Sequence, residues 1–248
     1  MLFRCLAFIA TAAGVLNAAN SKDIHRTFPL DSRGHATIDT YKGSVHVFTW
    51  DRNEIDIAVR IEEDGDVFAQ SVTHADVHFD ASPSDVRITS QNQWSFFLDG
   101  VAPLYHYTIH MPRTASLRIK DYKSETEVGD LAADLQLETY KGSLQLRNFA
   151  GRLTANTYKG DIRAEFAALT APVRIDTYKG SIDLRLPRES HFDLATDLGR
   201  RGGDPDSDFA RYMRTSNLRD RTHRAQVNGG GPEVRVRSYK GEFRLRAR

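Results

Sequence analysis

The chain is 248 residues long and carries 34 basic against 33 acidic side chains, a formal net charge of +1. Arg4 is the only charged residue among the first 19, so without that stretch the two signs balance at 33 each. Such a chain lacks the basic excess that general binding to nucleic acid or anionic membranes requires, and its length admits one large all-β domain or two smaller ones.

Residues 1 to 19 read as a secretory signal peptide: a cation at Arg4, an apolar run from Leu6 to Leu16, and small residues at Ala18 and Ala19. The run is too short to span a bilayer. The mature chain, 20 to 248, is therefore expected to be exported, periplasmic or at the cell surface, with no transmembrane span. The sole cysteine, Cys5, lies inside this segment ahead of the apolar core and makes a poor lipid-attachment site. The exported chain then has no disulfide, no cysteine-ligated metal and no thiol nucleophile.

Residues 20 to 113 are β in character without a regular repeat. Ile55, Ile57, Val59 and Ile61 alternate with polar neighbours, and so do Tyr105, Tyr107, Ile109 and Met111 up to Pro112. Val67 to Ala75 reads as a short helix, and the cluster Trp94, Phe96, Phe97 and Leu98 as a cap over the open end of a stack or, alternatively, a contact surface.

Residues 114 to 198 hold a repeat. Tyr140-Lys141-Gly142, Tyr158-Lys159-Gly160 and Tyr178-Lys179-Gly180 are intact copies, and Tyr122-Lys123-Ser124 departs at the glycine. These tyrosines are separated by 18, 18 and 20 residues, a supersecondary period. Two outlying copies, Tyr41-Lys42-Gly43 and Tyr239-Lys240-Gly241, bracket them. Five and three residues before the tyrosine stand Ala36/Ile38, Leu117/Ile119, Leu135/Leu137, Leu153/Ala155, Val173/Ile175 and Val234/Val236. Four and six residues after it stand Val45/Val47, Thr126/Val128, Leu144/Leu146, Ile162/Ala164, Ile182/Leu184 and Phe243/Leu245. Only Thr126 in these two sets is not apolar, and the residues between are polar. Each copy is thus two half-buried strands joined at Tyr-Lys-Gly.

The residue before the tyrosine is Thr40, Thr139, Thr157, Thr177 or Ser238, with Asp121 in the degenerate copy. Its parity turns it inward, where a small hydroxyl can bond backbone. Gly43, Gly142, Gly160, Gly180 and Gly241 are expected to supply a positive φ or a close backbone approach. Ser124 should then mark either the most strained or the most relaxed corner.

Residues 199 to 231 break the pattern with Arg200, Arg201, Arg211, Arg214, Arg219, Arg221 and Arg224, and read as a polar loop excursion before the final rung at 232 to 248. One 18-residue unit cannot bury enough apolar surface alone, so copies must stack. The expected fold is all-β: a right-handed β-solenoid or β-helix-like stack of short strands behind an irregular β section. An antiparallel meander or sandwich is the alternative the same alternation permits.

A signal peptide, a strand ending at Tyr107 to Pro112, short glycine-centred β repeats, and Asn228-Gly229-Gly230-Gly231-Pro232 before a terminal Val234 to Leu245 rung belong together. Over roughly residues 30 to 248 this pattern resembles a bacterial family of provisionally named adhesins, otherwise of unknown function. The resemblance implies an exported β-solenoid with a surface or adhesion role and transfers no catalytic residues. The constancy of the Tyr-Lys corner is a departure from it.

Stacked in register, Tyr41, Tyr122, Tyr140, Tyr158, Tyr178 and Tyr239 would lie beside Lys42, Lys123, Lys141, Lys159, Lys179 and Lys240 as one strip. Pointing outward, the strip suits stacking on sugar rings or holding an anionic polymer, with an envelope glycan or protein as partner. Alternatively it is a structural ladder whose lysines keep the edge soluble. Catalysis is not expected. The competing class is a carbohydrate-active β-helix enzyme, a polysaccharide lyase or hydrolase, for which Asp121, Glu138, Asp176 and Asp183 are the available carboxylates. No cofactor and no metal is expected: His106 and His110 share a strand face about 13 Å apart, too far for one ion, and His74 and His78 would meet only on a helix.

Overall fold

The computed structural model describes residues 21–64, 72, 75–91, 102–199, 206–216 and 222–248, and no α-helix occurs among them. Ahead of the regular repeat lie β1 (Ser21–Pro29), β2 (His35–Asp39), β3 (Lys42–Trp50), β4 (Glu54–Glu62), β5 (Asp76–Ala81), β6 (Asp85–Gln91) and β7 (Leu104–Pro112). The repeat supplies β8 (Ser116–Asp121), β9 (Lys123–Gly129), β10 (Leu135–Thr139), β11 (Ser143–Phe149), β12 (Leu153–Lys159), β13 (Ile162–Phe166), β14 (Val173–Lys179) and β15 (Ile182–Leu186). There follow β16 (Phe192–Asp197), β17 (Asp206–Ser207), β18 (Met213–Ser216), β19 (Thr222–Val227), β20 (Glu233–Lys240) and β21 (Phe243–Ala247).

Period-two alternation on both sides of one corner has a simple outcome. Each copy gives its strand before the tyrosine to an 11-stranded sheet, ordered β18-β19-β16-β20-β14-β12-β10-β8-β2-β6-β5. Its strand after the glycine goes to a 10-stranded sheet, ordered β1-β4-β7-β3-β9-β11-β13-β15-β21-β17. Like strands pair in parallel and in register, Leu135 beside Leu153 and Val173 beside Val234. The result is a β-solenoid-like stack. The antiparallel alternative survives only at the two ends, where β1, β4 and β7, then β5 and β6, then β16, β19 and β18 pair antiparallel. Between them the corner swings the chain to the opposite sheet instead of returning it as a hairpin.

All the flanking positions aligned above face inward, and none is more than 4 % exposed. They form part of one apolar cluster that runs from Leu30 to Leu245. The 20-residue spacing between Tyr158 and Tyr178 arises at the far corner, where 167–172 joins β13 to β14 while only 150–152 joins β11 to β12.

Sequence order and stack order part company at both ends. The rung of β2 and β3 lies between the β8/β9 rung and β6/β7, and the rung of β20 and β21 lies between β14/β15 and β16/β17. The two outlying copies thereby extend the central four into six consecutive rungs.

The stretch 199–231, expected as a loop excursion, carries β17, β18 and β19 in its described part and buries Phe209, Ala225 and Val227. These strands close the end of the stack. Their alternation is short and lies among arginines, because only one face meets the core, and so the polar composition hides it. The short helix expected at Val67 to Ala75, the aromatic cap at Trp94 to Leu98 and the signal segment lie outside the described residues, Val72 and Ala75 excepted.

Glycine at the corner answers to crowding between rungs. At Gly160, φ is +156° and an added Cβ would sit 1.7 Å from the Gly142 carbonyl oxygen; at Gly180, φ is +149° and the contact with the Gly160 oxygen would be 1.9 Å. Gly129, on β9, has nothing within 4 Å of the same construction. Gly160→Ala is therefore expected to destabilise the fold by about 3 kcal/mol, the upper range for overpacking. In a chain of this size that lowers Tm by roughly 6–12 °C. Gly129→Ala should stay within about 1 kcal/mol of the parent. Thermal unfolding of the two variants side by side checks both.

Candidate functional site: the Tyr-Lys ridge

Parallel register places each corner directly on the next. The rings of Tyr41, Tyr122, Tyr140, Tyr158, Tyr178 and Tyr239 form one continuous column, with successive centroids 5.0, 5.1, 4.9, 4.9 and 5.0 Å apart and planes within 15° of parallel. Tyr122, Tyr140, Tyr158, Tyr178 and Tyr239 are 38–46 % exposed. An inner ring has a neighbour against each face, so it offers solvent its edge and hydroxyl. That geometry leaves no inner ring face free for a sugar to stack on.

The lysines form a second column beside the first. Lys42 pairs with Lys123, and Lys159 with Lys179 and then Lys240, along the strands. The Lys141 ammonium lies 5.3 Å from the Tyr140 ring centroid, and Lys240 lies 5.6 Å from that of Tyr178. Lys42 forms an ion pair with Asp64. Burial, and then the neighbouring Lys123 ammonium, hold the Lys42 pKa below the ordinary lysine value. Lys123, Lys141, Lys159, Lys179 and Lys240 have no carboxylate partner among the described residues.

Two troughs flank the ridge. On the 11-stranded side, about 850 Å³ is lined by the tyrosines together with Lys120, Glu138, Asn156, Asp176 and Arg237. On the 10-stranded side, about 950 Å³ is lined by Lys42, Lys123, Lys141, Lys159 and Lys179, the corner glycines, and Ser44, Glu125, Ser143 and Asp161.

Inward parity of the residue before the tyrosine holds: Thr40, Thr139, Thr157, Thr177 and Ser238 are all buried. Their expected hydrogen bonds to backbone mostly do not form. The Thr139 hydroxyl donates to Asp121 Oδ1 at 2.6 Å, while those of Thr157, Thr177 and Ser238 have no partner among the described residues. The backbone groups around them are already engaged between rungs, as Lys159 N–H to Tyr140 O illustrates.

The degenerate copy is not the most strained corner: of the six, Gly43, Gly160 and Gly180 take a left-handed φ. Ser124 keeps an ordinary φ, and its N–H donates to Asp121 Oδ1 at 3.1 Å. Burial raises the Asp121 pKa to about 6, although the hydrogen bonds from Thr139 and Ser124 oppose the shift. Sequence reading passed over this carboxylate as one of several acidic positions. The available signal was that the inward residue and the glycine change together, in the same copy.

Of the four carboxylates open to a lyase or hydrolase, Asp121 has no cation partner among the described residues and accepts from Thr139 and Ser124, while the other three meet cations. Glu138 meets Arg118 at 2.9 Å and Lys120 at 3.7 Å, Asp176 meets Arg237 at 3.9 Å, and Asp183 lies on the opposite sheet near Arg185 at 3.5 Å. His106 Nδ1 sits 2.9 Å from the Ser44 hydroxyl, and its Nε2 sits 3.8 Å from Glu62. The His110 ring lies between Phe48 and Trp50. No group of three His, Cys, Asp or Glu side chains able to hold a metal occurs among the described residues. No helix among them is long and apolar enough to cross a membrane.

Two facing parallel sheets with one repeated corner define a β-solenoid-like repeat protein. The sequence profile of the Toastrack DUF4097 family matches residues 26–246, and the chain belongs to that family. No curated protein matches it significantly. A provisionally named cell adhesion protein from Clostridium sporogenes superposes with a TM-score of 0.50 at 9 % identity, covering 92 % of this chain and all of its own. A provisionally named adhesin from Bacteroides fragilis gives 0.45 at 10 % identity, covering 92 % of this chain and 97 % of that one. At these identities the likeness to the first is one of fold.

Tyr158→Ala removes two ring contacts and should destabilise the fold by about 2 kcal/mol, whereas Tyr158→Phe should change it by less than about 0.5 kcal/mol. Urea unfolding of both variants checks the ladder. For Asp121, the folded pKa lies above the ordinary 3.8. Its neutral form is thus the favoured one in the fold, and the associated stability is complete below pH 4 and lost as pH rises through about 6. Asp121→Asn should consequently be more stable than the parent by about 2 kcal/mol at pH 7, with the difference vanishing near pH 4. Urea midpoints at pH 4, 5.5 and 7 measure it.

Proposed function

We propose that this is a non-enzymatic, exported protein of the cell envelope, an adhesin-like binding or structural module whose Tyr-Lys ridge is its contact surface. Export rests on the signal features of residues 1 to 19, and residence in the periplasm or at the cell surface follows from it. One observation carries the binding role. Six corners repeat the same two side chains in register, and the lysines from Lys123 onward lack carboxylate partners among the described residues.

A purely structural ladder would need the tyrosines, which stack favourably, and could use lysines to keep the edge soluble, but it gains nothing from setting those cations side by side. The reading as a polysaccharide lyase or hydrolase loses support from the ion pairs that engage Glu138, Asp176 and Asp183. The names borne by the structural relatives agree with a contact role.

Replacing Lys141, Lys159 and Lys179 together by Gln is expected to lower retention on bacterial envelope fractions at least tenfold. Tm should hold or rise slightly, since the change relieves repulsion between like charges on neighbouring strands. Unchanged retention in a pull-down would count decisively against the ridge as the contact surface.

A further inference from the structure

Charged rows on the outer faces of the stack are commonly paired across strands: Arg147 with Glu127, Arg118 and Lys120 with Glu138, Arg237 with Asp176. The lysine column is different. Lys123, Lys159 and Lys179 are exposed and have no carboxylate partner among the described residues. Register sets Lys42 beside Lys123, and Lys159 beside Lys179 and then Lys240, on strands about 4.8 Å apart. That arrangement disfavours the isolated fold, and an anion bound along the column would relieve it.

We propose that the trough beside the lysines binds a linear polysaccharide bearing carboxylates, laid along the stack axis with its acid groups against the column. This deepens the contact-surface reading and rests on it. The site is a trough of about 950 Å³ that follows the rungs, a shape suited to an extended chain and unlike the flat face a bilayer needs. Its composition then selects among polyanions. Glu125 and Asp161 lie among the lysines, with Ser143 beside them. Asp161 Oδ1 accepts the Ser181 N–H, which leaves its second oxygen to accept elsewhere.

Carboxylates set between ammonium groups repel a polyphosphate, which has no hydroxyl to donate. A sugar acid polymer presents both groups: carboxylates for the lysines and hydroxyls for Glu125 and Asp161. A single-stranded nucleic acid gains its affinity from bases stacked on aromatic faces, and the inner tyrosine faces here are covered by one another. A pyranose linked through opposite carbons advances by about one rung, and in an extended ribbon alternate acid groups face the same side, so they can meet every second lysine.

The test is isothermal titration of the full mature chain with oligouronates of increasing length, using polygalacturonate and alginate fragments. Their methyl esters and a polyphosphate of matched charge serve as competitors. Affinity is expected to climb with length through about five sugar residues and then level off. The methyl esters should bind at least tenfold more weakly. Combined Lys123→Gln, Lys159→Gln and Lys179→Gln substitution should weaken binding at least tenfold and flatten its salt dependence, with Tm unchanged or raised. Polyphosphate binding as tightly as the oligouronates would overturn the assignment to a sugar acid, and esters binding as tightly as acids would overturn the role of the carboxylates. If neither oligouronate binds while retention on envelope fractions still depends on the lysines, this inference fails and the contact-surface reading stands. If that retention is also indifferent to the lysines, both fall.

Discussion

At each Tyr-Lys-Gly corner one backbone lies so near the next that nothing larger than hydrogen fits between them; the oxygen of Gly142 occupies the space a Gly160 side chain would take, and Gly160 does the same to Gly180. That contact fixes the translation between rungs. With the translation fixed, every residue of a copy lies over its counterpart, and the inward apolar pairs, the rings and the ammonium groups are all repeated at the same step. Ser124 is the one corner of the six that carries a side chain, and its rung keeps the register of both sheets.

The same translation has opposite effects on the two exposed columns. Offset-stacked rings contribute about 0.5–1.5 kcal/mol per contact beyond their burial, whereas like charges on adjacent strands cost roughly 0.2–1 kcal/mol. Stacking therefore offsets repulsion at each step, with Lys141 and Lys240 lying near ring centroids as a further compensation. The ridge can hold an aligned row of cations because a row of aromatic rings stands beside it.

Much of this was legible in the amino acids. Strict alternation around Tyr158 and Tyr178 marks two half-buried strands per copy, and parity alone turns Thr157 and Thr177 inward. The order of the rungs was not legible, because nothing in the flanks of Tyr41 says that its neighbour is Tyr122 across the whole span of β4 to β7. The end of the stack was hidden for a different reason: Ala225 and Val227 are buried in a strand of six residues, too short to announce a pattern within an arginine-bearing stretch. The raised pKa of Asp121 depends on how deeply its corner is covered, a quantity that composition does not carry. The covering of each tyrosine face by its neighbour likewise required coordinates, since sequence spacing is equally compatible with rings splayed outward.

The placement of β20 and β21 bears on how the molecule is assembled. These last strands pair on one side with β14 and β15 and on the other with β16 and β17, all of which precede them in the chain. A nascent polypeptide thus has a gap in both sheets until residues 233–247 arrive. Closure is a wedge event, in which one late piece satisfies two parallel edges in each sheet at once. Completion of the two sheets waits for residues 233–247, so a product stalled or clipped ahead of them leaves β14, β15, β16 and β17 without the neighbours that β20 and β21 supply.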